Sequence, residues 1–158
     1  MENIIQEFIE KTWGKNANTP FRVYNPERMG LTQLIRVKSI EKADKYTLIE
    51  FHYRTSEMYA NGGWINIHPG CFIQPFATNK KMGLWKAFGV PLAPKKRYFE
   101  YIWTHHTFAL LFAPLPKKTT CINIIESYRS GEQFNFRELD FSNWWTIPHA
   151  VDLPISTN

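Results

Sequence analysis

Cysteine is scarce: Cys71 and Cys121 are the only two in 158 residues, 50 positions apart, with no CxxC or other metal-type spacing. That spacing gives no support to a cysteine-based metal centre. Two reduced core thiols and a single disulfide both stay open. Thiols are favoured because Cys121 opens the apolar run Cys121-Ile122-Asn123-Ile124-Ile125, where a free cysteine packs as a small hydrophobe. Glycine is also scarce, at 8 residues, and neither GxGxxG nor GxxxxGK occurs, so a phosphate-cradling loop is excluded. Long hydrophobic runs are missing: the longest, residues 108–116, falls well short of the roughly 20 residues that cross a bilayer, so no membrane span is expected. The start, Met1-Glu2-Asn3-Ile4-Ile5-Gln6-Glu7, lacks the basic region and continuous apolar core of a secretory signal. With Met1 as the native start, the expectation is a cytoplasmic chain.

Acidic residues are outnumbered, 14 against 19 Lys and Arg, giving a net charge of +5 and a pI near 9.2. Such a balance suits an acidic partner only where the charge gathers on one face. The densest basic runs, Lys80-Lys81, Lys95-Lys96-Arg97 and Lys117-Lys118, stand beside Pro, Gly or Asn and read as solvated loops. A nucleic-acid surface requires those loops to converge and to interleave with exposed rings such as Tyr98 or Trp103. The sequence does not show that convergence, so nucleic acid is not an expected partner.

What is present is 44% apolar and 16% aromatic residues, enough for one domain to bury about two thirds of its unfolded surface. Ile4, Ile5, Phe8, Ile9, Thr12 and Trp13 recur at helical spacing, with Gly14 as a stop, and predict one short amphipathic helix. Its stripe either packs on its own domain or docks on a partner. Residues 15–30 carry Asn16, Asn18, Pro20, Asn25, Pro26 and Gly30 and read as an irregular connection. From Leu34 onward, short apolar runs are cut by turn residues, which predicts strands at 34–40, 46–54, 63–67, 71–76, 86–90, 97–103, 107–113, 121–126 and 134–139. Thr47, Ile49, Phe51 and Tyr53 alternate with Glu50, His52 and Arg54, the pattern of a half-buried strand. Phe108, Leu110 and Phe112 alternate with Ala109 and Leu111, apolar on both sides, which predicts a central strand. Ala43-Asp44 and Asn61-Gly62-Gly63 supply turns. With no long helix between the strands, the fold expected is mainly β, an antiparallel Ig-like β-sandwich with a short N-terminal amphipathic helix and an irregular C-terminal tail. Its parts are a helix and connection over 1–30, the sandwich over 31–140, and a tail over 141–158 packed on the domain.

Four motifs stand in a familiar order: Gly62-Gly63-Trp64-Ile65-Asn66-Ile67, Phe108-Ala109-Leu110-Leu111-Phe112-Ala113-Pro114-Leu115-Pro116, Ile124-Ile125-Glu126 and Phe134-Asn135-Phe136. Together they resemble an uncharacterised Ig-like β-sandwich module of Bacteroidetes-type bacteria, found alone or beside catalytic and repeat domains. The resemblance covers roughly residues 34–140 and brings no catalytic residue with it. Where that family tends to have an aromatic-glycine pair after the Phe-Asn-Phe triplet, Arg137-Glu138 stands here. The resemblance implies an accessory or recognition domain.

Catalytic chemistry finds no signature. Five histidines, His52, His68, His105, His106 and His149, include no HExxH and no i, i+4 pair, and the adjacent His105 and His106 point to opposite sides of an extended segment. No metal or cofactor is therefore expected. There is no GxSxG elbow, and Ser130-Gly131 reads as a turn. Glu50, Glu57, Glu100 and Glu126 offer carboxylate pairs only in the sense that any chain with 14 acids does. Glu126, at the end of an apolar strand, reads as a carboxylate bonded to a loop amide or paired with Arg129.

Six tryptophans and seven tyrosines rise above background. Exposed rings serve as sugar platforms and as protein hot spots. Trp64, inside a strand-like motif, is expected in the core. Trp144, Trp145, Trp85, Tyr59, Trp103 and Tyr101 are the candidates for exposure. The leading expectation is a non-enzymatic module for protein interaction or self-association, as in a homodimer. Its contact is expected at the helix stripe Ile4, Phe8, Ile9 and Trp13 or at the tail pair Trp144-Trp145. A carbohydrate-binding module is the alternative.

Overall fold

The eight residues from Thr47 to Arg54, rich in β-branched and aromatic side chains, form a strand that pairs antiparallel along its whole length with a second strand, His105–Phe112. In the computed structural model, which describes residues 1–15, 20–27, 34–127 and 134–146, these two are neighbours near the middle of a curled nine-stranded sheet. In chain order the elements are helix α1 (Glu2–Trp13), β1 (Phe21–Tyr24), β2 (Ile35–Lys42), β3 (Thr47–Arg54), a 3-10 turn (Ala60–Gly62), β4 (Trp64–Ile65), β5 (Phe72–Pro75), β6 (Met82–Phe88), β7 (Arg97–Tyr98), β8 (His105–Phe112), β9 (Cys121–Ile125), β10 (Phe136–Asp140) and β11 (Trp145–Thr146). The sheet runs β10-β9-β5-β6-β8-β3-β2-β1-β11, all antiparallel, while β4 and β7 form a separate ribbon. The protein is mainly β with one N-terminal helix, as the sequence predicts.

The sheet folds over on itself at β6. Met82 and Gly83 pair with β5, whereas Leu84 to Phe88 pair with β8 across a register shift between Leu84 and Lys86. One strand therefore belongs to two leaves, and the bulge supplies the bend. Across the gap between the leaves, Phe51 of β3 lies 5.9 Å from the ring of Phe134 and 6.0 Å from that of Phe136. Phe108 of β8 lies 6.1 Å from Phe134. These rings, with Val37, Ile40, Ile49, Leu110, Phe112, Ile73, Ile122 and Ile124, make the sandwich-like core.

The other face of β3 and β8 carries a second, smaller core. Ile5 and Ile9, one turn apart on α1, pack with Tyr46, Leu48, Phe88, Ala109 and Leu111. Phe8 meets Phe88 edge-on at 5.7 Å, and Trp13 stacks on Tyr46 at 5.3 Å. Gly14 ends the helix with φ of 82°, a left-handed value that glycine adopts freely, and its N–H donates to Glu10 O at 2.7 Å. Because α1 covers this face, Leu48 and Glu50 are buried as well as Ile49 and Phe51. The half-buried strand expected from alternation is thus closed on both sides in its first five residues, and Glu50 accepts a hydrogen bond from Ser39 Oγ at 2.9 Å.

Other expectations also shift. Phe21–Tyr24, expected within an irregular connection, is strand β1, and Trp145–Thr146 of the expected irregular tail is strand β11 beside it. The sheet consequently reaches beyond the 31–140 span on both sides. The strand expected at 86–90 begins earlier, at Met82, and that expected at 97–103 keeps only Arg97–Tyr98. Trp103 adopts φ of 62° and cannot continue a strand. The Ser130-Gly131 turn, Arg129, His149 and the tail beyond Thr146 lie outside the described residues.

A polar clamp ties β1, β2 and the helix side together. Arg22 donates to Glu41 Oε1 from both Nε (2.8 Å) and Nη2, and Tyr46 Oη donates to Glu41 Oε2 at 2.6 Å. Burial raises the Tyr46 pKa above its ordinary value, reinforced by the Glu41 carboxylate. Because Glu41 is 7% exposed, removing it strands a guanidinium and a phenol with little access to water. Glu41→Ala should lower stability by about 3 kcal/mol. Read by thermal melting, that is a fall of about 9 °C for a domain this size. Tyr46→Phe should cost about 1 kcal/mol.

Candidate functional site

At the end of the sandwich where β3 finishes and β8 begins, the chain turns outward and exposes a set of large rings. The hub is Thr55, fully buried one residue past β3. Its N–H donates to Thr104 O at 2.9 Å and its carbonyl accepts from Trp103 N at 3.2 Å. Its Oγ1 donates to Tyr101 O at 2.9 Å and accepts from Thr104 N at 2.7 Å. A single threonine thereby fixes residues 101–104 against the start of the 55–63 segment. Gly62 completes the fit: at φ of 90°, a Cβ placed there would stand 2.5 Å from Tyr101 O and 2.8 Å from Thr55 Cβ. Only glycine fits this approach. Phe99 N donates to Gly63 O at 3.0 Å, which brings β7 alongside β4.

On this frame Trp64 and Tyr98 are opposite residues of the β4–β7 ribbon, 46% and 68% exposed. Tyr101 and Trp103 follow at 70% and 48%. Tyr59 and Met58 are exposed in the facing segment. Trp64 therefore corrects the expectation that it is core. Ile65 and Ile67 take the buried positions of its motif, and the ring before Ile65 must point the other way. Tyr101 and Trp103 are exposed as expected. Cations sit on the rings: Lys96 Nζ is 4.5 Å from the Trp64 centroid, and the Arg54 guanidinium carbon is 4.7 Å from that of Trp103. The basic run Lys95-Lys96-Arg97 thus does interleave with exposed aromatics, although Lys117 lies at the opposite end, where its carbonyl accepts from Lys42 Nζ at 2.9 Å.

The remaining sequence candidates are dispersed. Trp145 is exposed on edge strand β11, while Trp144 is half-buried against Phe141 at 6.2 Å. Trp85 is exposed on β6 with its ring 6.0 Å from Trp13. In the helix stripe Ile9 is buried and Phe8 and Trp13 are half-buried against the protein's own sheet, leaving Ile4 exposed. Most of the stripe thus packs on the protein's own sheet.

The histidines divide as their alternation predicts. His105 lies on the outer face with its Nδ1 2.8 Å from His52 Nε2. His106 faces inward, its Nε2 2.6 Å from Gly89 O and its ring edge-on to Phe99 at 5.6 Å. Burial lowers the His106 pKa, with help from the Arg97 charge and against the hydrogen bond to Gly89. Among the described residues no three His, Cys, Asp or Glu side chains gather as a metal site. Glu126 is a structural clip, accepting from His68 N at 3.0 Å and Phe134 N at 3.3 Å. Both cysteines are free thiols. Cys71 immediately precedes β5 and Cys121 opens β9, and because the two strands run antiparallel the thiols stand at opposite ends of that pair. Burial, seconded by Glu126, pushes the Cys71 pKa up to about 12, which keeps it protonated and unreactive.

Comparison with protein-family profiles, curated proteins and solved structures finds no match, so no catalytic family is indicated. No helix among the described residues is long and apolar enough to cross a membrane.

Two measurements check this geometry. Thr55→Val keeps the shape but orphans the Thr104 N–H; it should cost about 2 kcal/mol in urea denaturation and alter native tryptophan fluorescence through Trp103. For His106, the unfolded ring gains its proton near pH 6.5 while the folded ring resists it, so the stability it contributes is present above that pH and declines as pH falls below it. Melting temperature should therefore drop more between pH 7.5 and 5.0 in the wild type than in His106→Gln, which keeps a donor for Gly89 O.

Proposed function

We propose that the protein is a non-enzymatic binding domain that docks a protein partner, a second copy of itself included, through the aromatic end. The observation that carries this reading is the exposure of Trp64, Tyr98, Tyr101 and Trp103 on backbone that hydrogen bonds hold rigid. Large rings left in water forgo the burial that each would gain elsewhere, about 1.5 to 3 kcal/mol apiece. Trp, Tyr and Arg are the residues that dominate interface energetics, and a preformed surface avoids the entropy of ordering them on contact. The accessory role implied by the resemblance to Ig-like modules agrees with this reading. Carbohydrate binding is the second reading, favoured by the side-by-side register of Trp64 and Tyr98 with Asn66 nearby, whose Nδ2 donates to Lys95 O at 2.9 Å.

Sedimentation equilibrium over a hundredfold concentration range tests the first reading. A concentration-dependent dimer is expected, with Kd raised about a hundredfold by Trp64→Ala combined with Tyr98→Ala and unchanged by Trp85→Ala. A strict monomer that binds glycans on an array, and loses them in the same double variant, replaces this reading with the second.

A further inference from the structure

Arg54 is the last residue of β3, on the same outer face as His52. Its cross-strand partner is His105, the first residue of β8. The guanidinium lies over the indole of Trp103, so one of its faces is covered. Its Nε is shut off from solvent and has no hydrogen-bond partner. Among the described residues the guanidinium has no ion pair or other hydrogen bond. This is unusual: a guanidinium carries five donors that buried sites normally satisfy, and an orphaned one calls for an explanation. Arg22 shows the contrast, since it is clamped by Glu41, whereas the Nε of Arg36 is closed off in the same way although its Nη1 reaches Glu27 at 3.9 Å.

The surroundings select the missing partner by charge. Arg36 and His52 are opposite residues one step along the same face, and His105 stands exposed beside Arg54 with its Nδ1 engaged by His52. The nearest carboxylate along β3, Glu50, is buried and bonded to Ser39. The patch is therefore rich in cationic donors, with Glu27 the exposed carboxylate that Arg36 meets at 3.9 Å. A metal cation would meet repulsion from two guanidinium groups here. An oxyanion would meet the terminal Nη donors of a guanidinium set over an aromatic ring, the pair of N–H groups that suits carboxylate and phosphate.

We propose that Arg54, stacked on Trp103 and flanked by His105, seats an oxyanion, a carboxylate or phosphate group carried by the partner. The inference rests on the aromatic end being a contact surface, yet it is tested without any partner. The probes are sodium glutamate and sodium phosphate, titrated at constant ionic strength into 15N-labelled full-length protein, with chloride as the reference anion. The Arg54 Nε–H and Trp103 indole resonances should shift saturably with at least one probe, and affinity should fall at least tenfold in Arg54→Gln and by less in Arg54→Lys. Lys96→Gln, which alters the cation over Trp64, should leave it unchanged. Saturation by glutamate identifies a carboxylate-bearing partner; phosphate binding tenfold tighter than glutamate identifies a phosphorylated one. Shifts that do not saturate, or that persist unchanged in Arg54→Gln, overturn the proposal. The wild-type resonances report directly, so the test stands even where a variant is unstable. A dimer in sedimentation with no saturable oxyanion binding would leave the contact surface intact and remove the Arg54 seat alone.

Discussion

Eight consecutive residue pairs, from Thr47 opposite Phe112 to Arg54 opposite His105, join β3 to β8, and nearly everything else in the molecule is built outward from that ladder. Along most of their length both faces are covered. Phe51 and Phe108 stack at 5.1 Å toward the sandwich-like core, while Leu48, Ala109 and Leu111 turn the other way under α1. A strand pair buried on two sides must be apolar on two sides, which is why the helix is needed: without α1, the outer face would present Leu48 and Leu111 to water. The same pair sets the reach of the second leaf, because β6 borrows its register from β8 before bending to meet β5.

Where that ladder stops, the chemistry changes. At Arg54 and His105 the outer face has passed from apolar to cationic, and one residue further Thr55 takes over from the ladder as the organising contact. Its four hydrogen bonds replace strand pairing with a compact corner, from which residues 56–64 and 97–104 emerge as a pair of facing segments. The left-handed backbone of Asn61 and Trp103 follows from this tight reversal. Such conformations cost on the order of 1–2 kcal/mol each and persist only where neighbouring contacts enforce them. Four exposed Trp and Tyr rings set this corner apart from the opposite end, where Lys42 lies over Phe21 and Phe141 and donates to loop carbonyls.

The sequence made the central elements legible because their signals are strong and local. Alternation in Thr47-Leu48-Ile49-Glu50-Phe51 marked β3, two-sided apolarity marked β8 as central, and Ile5 and Ile9 with Gly14 marked the helix and its end. β1 was invisible because only Val23 of its four residues is buried, and β11 because two residues carry no period. Residues 99–103 looked like strand because aromatic residues favour sheets; what overrode that preference is the non-local grip of Thr55, a threonine with no distinguishing neighbours in sequence. The aromatic end was half legible. Loop position points to Tyr101 and Trp103, while the parity of Ile65 and Ile67 is what turns Trp64 outward against its strand-like motif. The orphan state of Arg54 has no sequence signal at all, being a statement about what fails to reach it.

Arg54 also explains why the two features of the corner belong together. Its guanidinium rests on Trp103, so the ring that offers contact area is held in place by the charge that lacks a partner. Cation and ring attract in water by only about 0.5 to 1 kcal/mol, but by about twice that once desolvated. A docking surface that covers Trp103 would therefore strengthen its hold on Arg54 and, by the same desolvation, sharpen the need of Arg54 for an anion. A neutral apolar partner would bury an uncompensated charge and be disfavoured, whereas an anionic group arriving with the apolar contact satisfies both requirements. Selectivity at such a docking corner would thus arise from coupling: the aromatic surface would supply area without discrimination, and the guanidinium within it would decide which surfaces can use that area.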